Sequence, residues 1–368
     1  MVQALPVTAT FLPGLELARL FYAEIVRPLL DQEFPDLPHT AAFIGWGSDV
    51  LGFDSARSTD HNWGPRLQLF LSDTGGADRS TAVTSMLADR LPDGFRGYPT
   101  VFPASGATEA SATHWVEVAA LRGWLIEALG FDPTEPVTLL DWLATPTQAL
   151  AEITTGAVFH DGLAAGAGGG LAAVRATLAW YPDDIWLYIM ACQWQRISQE
   201  EPFPGRCAEA GDELGSAVVA ARLVRDLMRL VLLMQRRYPP YSKWLGTAFA
   251  RTPAAVELLP VLTAAISAVT WPDRERNLAA SYEAAARLHN KIAVTPPVDP
   301  AVRPTFYERP YRVLEAGRFV TALRDQICGE RVRALPVIGA VDQFIDSTDA
   351  CGNPRFLRAA VGAELPGD

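Results

Sequence analysis

Lysine is almost missing from this 368-residue chain: Lys243 and Lys291 are the only two, so its 31 basic side chains are nearly all arginine. Against them stand 42 Asp and Glu, for a formal net charge of −11. That balance disfavours a protein whose whole surface follows a phosphate backbone, because such binding draws on counterions displaced by a basic face. Nucleic acid is therefore not an expected partner, while a local phosphate pocket stays open. Cysteine is scarce as well. Cys192, Cys207, Cys328 and Cys351 form no CxxC pair, so buried free thiols are expected rather than a zinc site or a disulfide framework. The five histidines are scattered with no HExxH or HxxxH pair, which argues against zinc hydrolysis. No stretch reaches 18 consecutive apolar residues, and MVQALPVTATFLPG lacks a basic segment followed by an apolar core. The expectation is a cytoplasmic protein without a membrane partner.

What is present is the make-up of a globular protein: 49% hydrophobic, 20% charged and 10% aromatic residues, which excludes disorder, collagen and coiled-coil rods. The length suggests two domains. Leu17, Leu20, Phe21, Leu29 and Leu30 follow a helical period behind Pro13 and predict an opening amphipathic helix over 15–30. Thr40 to Ile44 reads as a buried strand running into the tight turn Gly45-Trp46-Gly47-Ser48. Residues 66–71 and 113–118 alternate as strands, with a helix over 80–91 and a Gly/Pro-bearing loop over 92–108 between them; 157–160 is a further strand. The small-residue segment GLAAGAGGGLAA at 162–173 reads as a linker. Beyond it, 183–197, 212–236, 253–269, 274–291 and 311–328 carry apolar residues at helical spacing between proline-bearing breaks. The expected organisation is α+β: a mixed-sheet domain over 1–170 with flanking helices, then a mainly helical domain over 171–368.

Chemistry concentrates between Gly45 and Arg66, in GWGSDVLGFDSARSTDHNWGPR. Asp60 lies 12 residues after Ser48, and Asn62 follows two positions later. In an extended segment residues two apart point to one face, so these two oxygens can meet a hard divalent cation. Glu117, between Val116 and Val118, supplies a third candidate ligand, since a carboxylate buried in an apolar strand needs a partner or a metal. Asp and Asn also favour a turn leading into a strand, by hydrogen-bonding to nearby backbone.

A strand, a Gly-Ser turn, a spacer, an acidic DxD-like pair and a later acidic strand residue resemble the nucleotidyltransferase superfamily that includes aminoglycoside nucleotidyltransferases and DNA polymerase beta. STDHNWGPRLQLFL, WVEVAALRGWL, GAVFHDG, AWYPDDIW, RRYPPYSKW and GAVDQFIDST are similar to an uncharacterised bacterial branch of that superfamily. The resemblance implies a mixed-sheet catalytic domain followed by a helical one, with a nucleoside triphosphate such as ATP and Mg2+ (or Mn2+) as its ligands. It also implies transfer of a nucleoside monophosphate to a hydroxyl of a small-molecule acceptor. Gly47 and Ser48 match the turn that holds the leaving phosphates, Asp60 the first carboxylate and Glu117 the third. Asn62 stands where the family has a second carboxylate. A neutral ligand lowers affinity for a second ion, so a catalytically weakened nucleotide-binding or regulatory protein is the alternative.

Two further features carry positive charge. Arg222, Arg225, Arg229 and Arg236 form a stripe on the helix over 214–236, either to meet phosphates or to join a structural network with Asp226; Arg225 is the least obviously paired locally. Lys243, after the stiff Tyr238-Pro239-Pro240-Tyr241 segment, is either a point charge for a terminal phosphate or a solvated lysine. The aromatic cluster Trp180, Tyr181, Trp186, Tyr188 and Trp194 reads as core. His289-Asn290 reads as structural, and Asp342 and Asp346 could share a helix face.

Overall fold

The computed structural model describes residues 11–60, 62–72, 76–103, 112–164 and 170–362. His61 of the Asp60-His61-Asn62 triplet, residues 1–10, part of the loop expected over 92–108 and residues 165–169 of the small-residue segment lie outside them. The chain divides into two compact units: Met1–Val137 with Ala149–Ala179, and Thr138–Gln148 with Trp180–Asp368.

The first unit opens with α1 (Gly14–Phe21), a π-helical turn (Tyr22–Val26) and α2 (Arg27–Glu33). The wide turn sits just ahead of Pro28, which has no amide hydrogen for a regular i−4 bond. There follow β1 (His39–Phe43), β2 (Arg66–Leu71), α3 (Gly76–Arg90), a small hairpin of β3 (Gly94–Phe95) and β4 (Tyr98–Pro99), β5 (Val101–Pro103) and β6 (Ala112–Ala120). After α4 (Leu121–Leu129), the helix α5 (Leu139–Ala144) belongs to the second unit; the chain returns to the first within α6 (Thr147–Thr154), at Ala149, and continues there through β7 (Ala157–Asp161) and α7 (Gly170–Thr177). The expected strands are all present, and the Gly/Pro-bearing loop carries the extra hairpin and β5.

The sheet order is β5-β6-β2-β1-β7. It is mixed: β2 runs parallel to β6, while β1 is antiparallel to both β2 and β7. Alternation along β2 sends Leu67, Leu69 and Leu71 to one face and Arg66, Gln68 and Phe70 to the other. On the first face, Leu17, Phe21, Val26 and Leu30 of the opening helices, Val83 and Leu87 of α3, and Val116 of β6 close a core over the three leucines. The second face carries the polar side chains described below.

The second unit is helical: α8 (Asp183–Glu200), α9 (Phe203–Glu209), α10 (Glu213–Met234), α11 (Ser242–Ala250), α12 (Ala255–Ser267), α13 (Trp271–Ile292), α14 (Gly317–Arg324), α15 (Glu330–Arg333), α16 (Thr348–Cys351) and α17 (Pro354–Gly362). α8 packs on α10 and α14, and α13 on α10 and α12. Tyr181, Trp186, Tyr188 and Trp194 are buried, as core aromatics should be, and Trp180 is half-buried; Trp186 Nε1 donates to Leu233 O at 2.8 Å and Trp194 Nε1 to His289 Nδ1 at 3.2 Å, while Trp180 Nε1 is buried without a hydrogen-bond partner. Of the four thiols only Cys192 is buried; Cys328 is exposed and the other two are half-buried, so the expectation of buried thiols holds for one. Among the described residues no helix is long and apolar enough to cross a membrane.

Candidate functional site

The turn after β1 is built from glycines for a steric reason. Gly45 and Gly47 have φ of +84° and +134°, and a Cβ on Gly47 would collide with Arg66 Nη2 and Asp49 Oδ1. Only glycine satisfies both conditions. Gly45 N is anchored on Glu152 O at 2.9 Å, and Phe53 N donates to Ser48 O at 2.7 Å, closing the loop on the far side of Ser48.

Beneath the turn lies a buried ion pair. Arg66 Nη2 donates to Asp49 Oδ1 at 2.7 Å, with side-chain exposures of 5% and 2%. The same nitrogen donates to Trp46 O at 2.9 Å. The guanidinium also lies over the rings of Phe43 and Trp46, 4.7 and 4.2 Å from their centroids. Such a pair holds its shape only with good geometry and supporting hydrogen bonds, because both ions have lost their hydration. Here the support is one-sided: Asp49 Oδ2 and Arg66 Nε are buried with no hydrogen-bond partner. Close by, Asp54 Oδ2 accepts from Gly14 N at 2.7 Å and from Trp63 Nε1 at 3.1 Å, so a carboxylate caps the first turn of α1 and ties it to the same loop.

The polar face continues along the sheet. Gln68 pairs in register with Glu117 across β2 and β6; its Oε1 accepts from Ile44 N at 3.1 Å, and its Nε2 makes a long 3.5 Å contact to Glu117 Oε2. Trp124 Nε1 donates to Glu117 Oε1 at 2.9 Å, and its ring lies against the position of Gly45. Glu117 is thus joined to the glycine turn through Gln68 and Trp124.

The residues expected to act together are placed as follows. Gly47 and Ser48 form the turn, and Glu117 lies on the sheet face that carries Arg66. Asp60 closes a 3-10 turn, Ala56–Asp60, and is exposed. Asn62 is exposed with φ +49°, in the left-handed region that asparagine tolerates. The extended geometry expected to aim both oxygens at one point is therefore absent: the strand begins later, at Arg66. Glu117 is exposed, so its need for a partner does not come from burial. That argument belongs to Arg66, the charged residue of a fully buried strand. RLQLFL carries this signal in the sequence, one charge amid apolar residues; Asp49 has no comparable signal. Among the described residues no three His, Cys, Asp or Glu side chains cluster as a metal site. The donors of Asp60, Asn62 and Glu117 are all oxygen, which suits a hard cation, and Glu117 Oε2 has only its long contact to Gln68.

Arg225 and Lys243 belong to the second unit. Each arginine of the stripe meets a partner there: Arg222 pairs with Glu200 at 2.9 Å, Arg225 with Asp346 at 3.3 Å and Arg236 with Asp183 at 2.9 Å, while Arg229 donates to Asp342 O. Asp226 is held by Arg196 of α8 at 3.2 Å instead of by its own helix. Asp342 and Asp346 share no helix face, because Val341–Gln343 is a single 3-10 turn. Burial raises the pKa of the Asp342 carboxyl, with the Arg229 guanidinium working against that shift, and burial lowers that of Arg229. Lys243 is exposed on the first turn of α11, with Nζ 5.1 Å from the Trp244 ring centroid.

The family model of a domain of unknown function, DUF4037, matches residues 142–245. That span runs from α5 to the first residues of α11 and so takes in segments of both units. No curated protein and no solved structure matches the chain.

Proposed function

We propose that this protein is a metal-dependent nucleotidyltransferase that moves a nucleoside monophosphate from a nucleoside triphosphate to a hydroxyl of a small-molecule acceptor. The observation that carries the reading is the Gly45–Ser48 turn, fixed over the buried Asp49–Arg66 pair, on the sheet face that also presents Glu117. A glycine turn at the end of a strand lets backbone approach phosphates closely, and Ser48 adds a hydroxyl beside it. Mg2+ or Mn2+, held by Asp60, Asn62 and Glu117 Oε2, would neutralise charge on the triphosphate. The protein's share is then positioning: the turn receives the leaving phosphates, and Glu117 is either an ion ligand or the acceptor of the hydroxyl proton.

A nucleotide-binding or regulatory protein with weakened transfer is the second reading. It is favoured by the neutral Asn62 and by the hydrogen bond that Trp124 already makes to Glu117 Oε1.

Incubation with each nucleoside triphosphate plus Mg2+ or Mn2+, followed by pyrophosphate release, tests transfer. Asn62→Asp adds a negative ligand at nearly constant volume and should tighten divalent-ion binding, whereas Asp60→Asn should weaken it, because metal sites respond to ligand charge. Calorimetry with Mn2+ and a non-hydrolysable triphosphate measures both. Silence in both variants would leave Asp60 and Asn62 as turn formers and remove the metal from the reading.

A further inference from the structure

The chain has ten tryptophans, all within the described residues, and nine are buried or half-buried. Trp46 is the exception, 56% exposed. It is also rigidly mounted. One face of the indole lies on the Arg66 guanidinium at 4.2 Å, its carbonyl accepts from Arg66 Nη2 at 2.9 Å, and Gly45 and Gly47 fix the backbone on either side with positive φ. Arg66 in turn is locked by Asp49. An indole with one face on a buried cation and much of its remaining surface in solvent is a prepared stacking platform, since its ordering cost has already been met by folding.

We infer that Trp46 stacks the nucleobase of the triphosphate whose phosphates lie on the Gly47–Ser48 turn, an inference that rests on the nucleotidyltransferase reading. The ligand class follows from proximity: Trp46 is two residues from Ser48, so a molecule with phosphates at the serine and a planar ring beyond them can reach the indole. Stacking engages any base through its π-face, so Trp46 contributes affinity with little choice among bases.

The test separates the base from the phosphates. Binding of a non-hydrolysable nucleoside triphosphate and of inorganic tripolyphosphate, each with Mg2+, is measured by calorimetry on wild type, Trp46→Leu and Trp46→Phe. The nucleotide should bind wild type more tightly than tripolyphosphate does. Trp46→Leu should lose roughly 5- to 150-fold in nucleotide affinity, the range for one stacked base; tripolyphosphate affinity should stay unchanged, and Trp46→Phe should retain most of the nucleotide advantage. A measurement without substitution keeps the inference open to refutation even if a variant folds poorly: oxidation of the exposed indole by N-bromosuccinimide should be slowed by nucleotide and not by tripolyphosphate. Nucleotide binding that Trp46→Leu leaves intact, or an indole that nucleotide does not protect, overturns the stacking role and leaves the nucleotidyltransferase reading standing. A wild-type protein that binds neither ligand overturns that reading and this inference with it.

Discussion

Asp49→Asn tests whether the glycine turn depends on its buried ion pair. The substitution keeps volume and an oxygen acceptor for Arg66 Nη2, so it opens no cavity; it removes only the negative charge. Arg66, 5% exposed, then remains a buried cation whose polar partners are the Trp46 carbonyl and a neutral amide. Removing one member of a buried pair costs about 3–5 kcal/mol, a large share of the roughly 5–15 kcal/mol that holds a domain folded. Because the chain has two units, a single unfolding midpoint is not a clean readout. Amide hydrogen exchange of β1 and β2 reports the first unit directly. The double variant Asp49→Leu/Arg66→Met removes both charges and should recover most of the loss, since apolar replacement of a buried pair is often neutral. A loss below about 1 kcal/mol for Asp49→Asn would refute the reasoning.

Two pairs of substitutions in the helical unit have opposed outcomes. His289 is buried, accepts from Trp194 Nε1 and contacts Thr295 Oγ1 at 3.0 Å, and burial lowers its pKa to about 4; its stabilisation is present above the unfolded histidine value and should fall by about 2 kcal/mol between pH 8 and 5. Glu201 accepts from the amides of Leu314 and Ala316 at 2.5 and 2.9 Å, and burial raises its pKa to about 7; its contribution is lost as pH rises through that value, so acidification over the same window adds a similar amount. His289→Gln should therefore gain stability on acidification and Glu201→Gln should lose it, as read by urea unfolding at several pH values; two variants that track wild type would sink the linkage argument. Tyr181 Oη is buried without a hydrogen-bond partner, whereas Tyr188 Oη donates to Pro336 O at 2.8 Å and accepts from Gly339 N at 3.1 Å. Tyr181→Phe should be near neutral in thermal unfolding and Tyr188→Phe should cost about 1–3 kcal/mol; equal costs would contradict this.

Much of the fold was legible because periodicity reports burial. The strand expected at 66–71 is β2 as observed, and the five C-terminal helical runs all contain helices. The π-helical turn at Tyr22–Val26 left no comparable mark, since its apolar spacing reads as one continuous helix. At the site, the glycine turn was legible and its support was not. Asp49 is one of two acidic residues between Ser48 and Asp60, and only the fold shows that it meets Arg66, 17 positions away. The extended Asp60–Asn62 geometry failed for a local reason: both residue types also favour turns, and with no alternating apolar pattern to hold a strand there, the turn won. The partners of the arginine stripe were hidden similarly, because Glu200, Asp346 and Asp183 are distant in sequence.

The charge balance beneath the turn sets what a phosphate would meet there. Asp49 matches the charge of Arg66, so the pair presents little net positive potential to a polyanion at Gly47–Ser48, and attraction under the nucleotidyltransferase reading falls to backbone dipoles and to divalent ions. Arg66 is then a positioning residue: it props Trp46 with one face and holds the turn with one nitrogen. Asp49→Asn consequently acts with opposite signs on two readouts. It weakens the fold by stranding a cation, and the same stranded cation, now unneutralised beneath the turn, strengthens tripolyphosphate binding in the absence of divalent ions. Equilibrium dialysis against tripolyphosphate in chelator, at low and at high salt, separates the effects, because a gain due to charge shrinks as salt screens it. Tripolyphosphate affinity that falls along with stability would mean that the turn's shape, and not its charge, governs the phosphates.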